Sequence, residues 1–337
     1  MHTSFIFITI LLSIILVVLS KKSNFLLDIK SEKHKKFTSI QKNYSIGGIL
    51  LIIFFMLSFF DKKEYLDGIF FFSIFLIGLF SDLKILNNPK IRFLLQIFSI
   101  ILFVYLLDIK ILVDTRAEIL NNLLENNIFN YFFVAFCLMI LINGSNFVDG
   151  INTLLINYFI IILGSLWLFL PEFIHQLKLL EFLIILLFII LAFNLNGMII
   201  LGDSGSYVLG LFVGIYLIDF SNLNEQISPF FIILLLWYPC FELLFSMIRR
   251  NVSKITIYEP DIYHLHQMIF NFFKKKISVK NNLNHFIASS LINLYNAITI
   301  LIGINYFNQT SKLVIIISVN LIVYSLIYFF LKKSTKY

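Results

Sequence analysis

Five short polar stretches interrupt an otherwise apolar chain, and their side chains are of the kinds that handle phosphate. The first ends in Tyr44-Ser45-Ile46-Gly47-Gly48, after a run holding Lys33, His34, Lys35 and Lys36. The second is Ser81-Asp82-Leu83-Lys84, followed by Pro89, Arg92 and Gln96. The third runs Asn143-Gly144-Ser145-Asn146-Phe147-Val148-Asp149-Gly150-Ile151-Asn152. The fourth is Phe193-Asn194, then Gly202-Asp203-Ser204-Gly205-Ser206. The fifth carries Arg249 and Arg250, then Pro260-Asp261-Ile262-Tyr263-His264-Leu265-His266. Asp82, Asp149 and Asp203 each stand at the end of an apolar run, where a carboxylate is costly and marks function by default. The Gly-Asp-Ser-Gly-Ser stretch also opens a helical pattern. Small residues there expose backbone N–H groups at the positive end of the helix dipole, which suits phosphate. An acidic side chain in the same turn suits a hard cation such as Mg²⁺ that bridges to phosphate oxygens.

Carboxylates, amides, cations and two histidines are together the equipment for joining two phosphate compounds. Two polyanions repel, so a divalent ion with Lys, Arg or His must neutralise them before an oxygen can approach phosphorus in line. At headgroup level one partner would be a lipid phosphate and the other a soluble nucleotide-activated compound. Plainer readings stand beside this one. Gly47-Gly48 also fits close helix packing, and the lysines at 33–36 fit an ordinary positive loop. Arg249 and Arg250 fit snorkelling anchors, and a lone His-x-His is weak evidence of a metal site. Cys137 and Cys240 are distant and lie in apolar stretches, so they read as small buried hydrophobes with no disulfide framework.

The elements that position these stretches follow from composition. The chain has 337 residues, of which 59% are hydrophobic and only 13% charged; its mean hydropathy is +0.92. A soluble domain carries about 25% charged residues, so hydrocarbon is the solvent for most of this sequence. A formal charge of +7 then points to anionic headgroups or an anionic substrate, not to nucleic acid. Apolar runs near 4–20, 46–60, 68–81, 91–107, 129–142, 151–170, 179–196, 204–220, 229–248, 285–305 and 312–331 predict an all-α, polytopic integral membrane bundle of about eleven transmembrane helices. The first run lacks a basic leader and a small-residue cleavage site, so it reads as a retained helix with its N-terminus outside.

That topology gives cytoplasmic loops at 21–45, 82–90, 143–150, 197–203 and 249–284, with the C-terminus also inside. With helix ends counted in, these segments hold 20 of the 26 Lys and Arg residues, as the positive-inside rule requires. The last loop has room for a short amphipathic or re-entrant element. No internal repeat or linker divides the chain, so 1–337 reads as one transmembrane domain.

The order Gly-Gly, Asp-Leu-x-x-Leu, Asn-x-x-Asn-x-x-Asp-Gly-x-Asn, Phe-Asn-x-x-Gly-x-x-x-x-Gly-Asp-Ser-Gly-Ser and Arg-Arg…Pro-Asp-x-x-His-x-His resembles the polyprenyl-phosphate N-acetylhexosamine-1-phosphate transferases over about residues 21–270. These enzymes start O-antigen, enterobacterial common antigen and teichoic acid synthesis and are related to the peptidoglycan MurNAc-pentapeptide transferase. The resemblance implies transfer of a HexNAc-1-phosphate from a UDP-sugar to undecaprenyl phosphate, with release of UMP. It implies Mg²⁺, or Mn²⁺ in its place, and an active site on the cytoplasmic face of a bacterial inner membrane; a homodimer is compatible with it. Asp203 would bind the metal, Asp82 would lie in the acidic pair beside it, and Asp149 would complete the catalytic set. Asn146, Asp149 and Asn152 would hold the nucleotide and shape the site, with Asn194 and Ser204 among the substrate contacts. His264, His266, Arg249 and Arg250 would contact the phosphates or sugar, and Lys33 and His34 match the family's basic patch.

Three positions depart from the pattern. Ser81 stands where the family has a first Asp, Thr153 where it has Gly, and Gln267 where it often has another His. A secondary transporter using membrane carboxylates and a catalytically weakened scaffold remain the alternative readings.

Overall fold

The computed structural model describes residues 2–24, 26, 43–254, 263–276 and 281–334. Lys33, His34 and the Pro260-Asp261 pair lie outside them. The described chain is helical: α1 (His2–Ser23), α2 (Gly47–Lys62), α3 (Tyr65–Asp82), α4 (Pro89–Leu106), α5 (Glu118–Leu124), α6 (Asn127–Val148), α7 (Leu154–Phe169), α8 (Leu177–Leu195), α9 (Gly202–Asn222), α10 (Pro229–Val252), α11 (Leu265–Lys276), α12 (Asn281–Ile304) and α13 (Thr310–Ser334). Each apolar run expected to be helical is helical. Eight of these helices (α3, α4, α6, α8, α9, α10, α12 and α13) are long and apolar enough to cross a membrane, and α7 is a shorter apolar helix. Two short helices, α5 and α11, were not among the expected spans. The second lies within the last loop, where the sequence left room for an amphipathic element.

Local signals set the helix starts. Pro229 sits at the first helical position of α10, where Ser228 Oγ accepts from the Phe230 N–H (3.4 Å). Asn88 Oδ1 caps α4 at the Lys90 N–H (3.0 Å), with Pro89 following. Asn126 caps α6 at Ile128 (3.0 Å) and Phe129 (3.2 Å). At its other end α6 runs on to Val148, so most of the stretch expected as a loop at 143–150 is helix. Asn143 folds its amide back onto the Met139 carbonyl (3.0 Å) instead of breaking the helix.

α9 is the centre of the bundle and packs against α2, α3 and α6. A side chain at Gly48 or Gly78 would run into Ser204 at the start of α9, so the Gly47-Gly48 pair does serve close helix approach. Further along, Phe55 of α2, Phe71 of α3 and Phe212 of α9 interlock, with ring centroids 5.4 Å (Phe55–Phe71) and 4.7 Å (Phe55–Phe212) apart. α10 carries Pro239 in its interior. Proline cannot donate to the Leu235 carbonyl one turn back, and the buried Tyr158 hydroxyl of α7 donates to it instead (2.7 Å).

Candidate functional site

The start of α9 is held by its neighbours. Leu201 and Gly202 have no side-chain cap of their own; Asp82, the last residue of α3, supplies one from outside the helix. Asp82 Oδ1 accepts from the Asp203 N–H (2.9 Å), and Oδ2 accepts from the Ser204 N–H (3.1 Å) and Ser204 Oγ (2.7 Å). Two orphan donors of the first helical turn and its positive dipole thus meet one carboxylate. Gly202 makes this approach feasible: its φ is +72°, and a β-carbon there would press on both Asp82 carboxylate oxygens. The preceding loop is fixed from the other side. Tyr44 and Ile199 form a parallel bridge, with the Ile200 N–H donating to the Tyr44 carbonyl (3.0 Å) and the Gly47 N–H to the Ile200 carbonyl (3.0 Å). The ends of the first, second and fourth polar stretches therefore converge.

This clamp turns the Asp203 side chain toward α4. Its Oδ2 accepts from Arg92 Nη1 (2.7 Å) and from Ser81 Oγ (2.6 Å), while Arg92 also bonds the Ser81 hydroxyl. Oδ1 takes no hydrogen bond among the described residues. The ion pair is only partly covered, with side-chain exposures of 27% for Arg92 and 18% for Asp203, so ligands can reach it. Asp82 and Asp203 therefore sit side by side in different states: Asp82 is engaged at both oxygens by α9, and Asp203 is engaged at Oδ2 only.

The last turn of α6 walls this pair. Asn146 Nδ2 donates to Tyr207 Oη (3.3 Å), and its Oδ1 accepts from Ser206 Oγ (3.3 Å), both on α9. Asp149 ends α6 one turn further, and Asn152 lies half-buried in the turn to α7. On the far side of this wall stand the histidines. The Phe147 ring meets His264 edge-on at 4.9 Å, and the Arg250 guanidinium lies 5.9 Å from the same Phe147 ring. His266 Nε2 lies against Gly150, where a β-carbon would come within 2.7 Å of it. His264 and His266 stack at 5.6 Å. Arg249 lies over Tyr263 (5.8 Å) and Tyr328 (6.0 Å). Burial pushes the His266 imidazole down to about 3, so it is neutral at physiological pH.

Asn194 and Ser204 are used differently from the remaining candidates. Asn194 accepts from the Thr153 N–H (2.5 Å) and donates to the Ile199 carbonyl (2.7 Å), so both ends of its amide hold the loops on either side of the site. Ser204 Oγ is fully buried against Asp82. Thr153 has φ +70°, a left-handed conformation that glycine adopts freely; this gives a physical reason for the glycine the resemblance expects there. Thr153 holds it with the Asn194 bond and a 2.6 Å contact to Ser289 Oγ.

Sequence reasoning left two participants out of the candidate site. Arg92 was visible only as one more cation near a helix start. Glu242 is fully buried within α10, where its Oε1 faces His264 Nδ1 at 2.9 Å and its Oε2 accepts from Tyr324 Oη at 2.8 Å. A lone glutamate inside a 24-residue apolar helix was the signal for it.

Among the described residues no group of three or more His, Cys, Asp or Glu side chains could hold a metal by itself. The donor set still fits Mg²⁺, which is typically held by one or two carboxylates together with substrate phosphates and waters: Asp203 Oδ1 is unengaged, and Asp82 is adjacent. Residues 65–221 match the family model described as glycosyl transferase family 4. The chain is also 29% identical over 288 residues to the undecaprenyl-phosphate alpha-N-acetylglucosaminyl 1-phosphate transferase of Thermotoga maritima, covering 85% of each chain. The stretch from α3 to α9, which contains Asp82, Asn146 and Asp203, is thus the part of the chain that is similar to glycosyl transferase family 4.

Proposed function

We propose that the protein transfers a HexNAc-1-phosphate from a UDP-sugar to undecaprenyl phosphate, at the cytoplasmic face of a bacterial inner membrane, to initiate a cell-envelope polysaccharide. The observation that carries this reading is the grip of Asp82 on the first turn of α9, which presents Asp203 beside Arg92 at the end of an apolar bundle. The activity of the Thermotoga maritima relative named above supports it.

In this reading Asp203, with Asp82 beside it, would hold Mg²⁺. The ion supplies charge neutralisation across the two phosphate groups. Arg92 offers a guanidinium to the same phosphates, and Asn146, Asp149 and Asn152 line the nucleotide side. His264, His266, Arg249 and Arg250 face the diphosphate and sugar. An oxygen of undecaprenyl phosphate forms a bond to the sugar-bearing phosphorus. The bond from that phosphorus to the bridging oxygen breaks, and this oxygen leaves with its electron pair as part of UMP. The attacking phosphate has a second pKa of about 6 and is already mostly ionised at pH 7, so Ser81 in place of a second acid removes no base that the step needs.

Purified protein incubated with undecaprenyl phosphate, Mg²⁺ and a panel of UDP-sugars should yield UMP and one sugar-diphospholipid by mass spectrometry of the lipid fraction. Chelation should stop both. Absence of product with every UDP-HexNAc would remove the reading.

A further inference from the structure

Glu242 is fully buried in α10, away from solvent. Removing a carboxylate from water is costly unless each oxygen is matched, and here each is. Oε1 lies 2.9 Å from His264 Nδ1 and 3.4 Å from the Leu265 N–H, while Oε2 accepts from Tyr324 Oη at 2.8 Å. One side chain thus ties α10 to the first turn of α11 and to α13. Tyr324 is itself locked by aromatic packing, with Phe241 at 4.9 Å and Phe245 at 5.2 Å, both edge-on.

An ionised carboxylate can only accept, so the imidazole nitrogen facing it must carry the proton. His264 Nδ1 is therefore the donor and Nε2 is the nitrogen left for a ligand. The ring is also braced by Phe147 of α6 at 4.9 Å and by the stacked His266, so fixing one edge fixes where the other points. Partners of this kind set both the tautomer and the aim of a functional histidine.

We propose that Glu242, held by Tyr324 of α13, is a positioning residue that keeps Nδ1 of His264 as the donating nitrogen and aims Nε2 at the sugar nucleotide. The ligand named here rests on the function proposed above; the positioning rests on the geometry alone. It gives α13, which lies beyond the family match, a share in the site.

The test uses the full chain in nanodiscs with ¹⁵N-labelled histidine, the His264 ring signals being identified by their loss in His264→Ala. The wild-type ring should show a protonated Nδ1, and UDP-GlcNAc should move the Nε2 signal. Glu242→Gln should shift the ring signals and weaken UDP-GlcNAc binding by about tenfold, the scale on which outer-sphere hydrogen bonds act. Tyr324→Phe, which preserves the packing, should produce the same shifts with roughly a threefold loss. In a His264→Ala background neither change should cost further affinity, because the coupling partner is gone. Ring signals unmoved by Glu242→Gln and Tyr324→Phe, or affinity losses that simply add to that of His264→Ala, would overturn the proposal. A Glu242-dependent tautomer in a protein that binds no UDP-GlcNAc would uphold the positioning and remove the sugar-nucleotide reading.

Discussion

The two ends of α9 are both polar, and both tie down a loop, but they do so with different chemistry. At the C-terminal end the ties are neutral amides bonded to backbone. Asn222 accepts from the Leu112 N–H (2.9 Å) and donates to the Lys110 carbonyl (2.7 Å). Asn130 of α6 accepts from the Ile111 N–H (2.9 Å) and donates to the Ile111 (2.9 Å) and Leu124 (3.1 Å) carbonyls. Each amide matches a backbone donor and a backbone acceptor, at no cost of burying a charge. At the N-terminal end the ties are charged. Asp82 holds the helix start, and Asp203 faces Arg92 and Ser81. Burying charge is a poor way to fix a loop, and an amide pair does it adequately at the opposite pole. The function proposed above gives the charges at the N-terminal end another use, and Asp203 Oδ1 takes no hydrogen bond among the described residues.

The sharpest way to break this comparison is Asp203→Asn. The amide still fits beside Arg92 and Ser81, so the folded structure should tolerate it, while the anionic ligand oxygen is gone. Transfer should fall by about 10³-fold, the scale of losing a principal electrostatic group, with a melting temperature close to that of the wild type. Equal product from both proteins, by UMP release, would place the metal elsewhere. Asp82→Ala should damage both properties at once. It strips the Asp203 and Ser204 N–H groups and the Ser204 hydroxyl of their acceptor, which should cost roughly 1–3 kcal/mol of stability together with a loss of activity of about 10²-fold as Asp203 loses its place. A denaturation series run beside the same assay would separate it from Asp203→Asn.

At the opposite pole the expectation reverses. Asn130→Ala leaves the Ile111 N–H and two carbonyls without partners and should cost roughly 1–3 kcal/mol. Activity per folded molecule should stay at the wild-type level. A selective fall in turnover without a fall in melting temperature would mean that the two ends do not divide the work in this way.

How far the sequence revealed this arrangement depended on whether the information was local. The apolar runs specified their helices because length and hydropathy act within one segment; 204–220, for example, became α9, Gly202–Asn222. Asp82, Asn146 and Asp203 were legible because polar residues at the ends of such runs are costly and therefore conspicuous. The roles of Asn194 and Ser204 were not legible, since only the folded chain shows their polar atoms held by Thr153, Ile199 and Asp82. Arg92 and Glu242 escaped for the same reason. Their partners Asp203 and Tyr324 lie 111 and 82 positions away, and no periodicity encodes a meeting across that distance.

The smallest expected effect tests whether charge matters at the amide-tied end at all. Asp108 accepts from the Tyr131 hydroxyl and pairs with Lys110 at 2.7 Å. The Lys110 ammonium first, and the Tyr131 hydroxyl second, hold the Asp108 carboxyl below its usual range. A carboxyl lowered by folding adds stability above its unfolded value, and that stability is lost as the pH falls through the folded one. Asp108 is 67% exposed, however, and water and salt screen an exposed pair until little of that linkage survives. Asp108→Asn should therefore leave the melting temperature at pH 7 unchanged, and the two proteins should keep the same small difference as the pH is lowered to 4. A wild-type advantage of several degrees at pH 7 that disappears on acidification would show that an ion pair does structural work there. The contrast between an amide-tied pole and a charged, reactive one would then have to rest on the Asp203–Arg92 geometry alone.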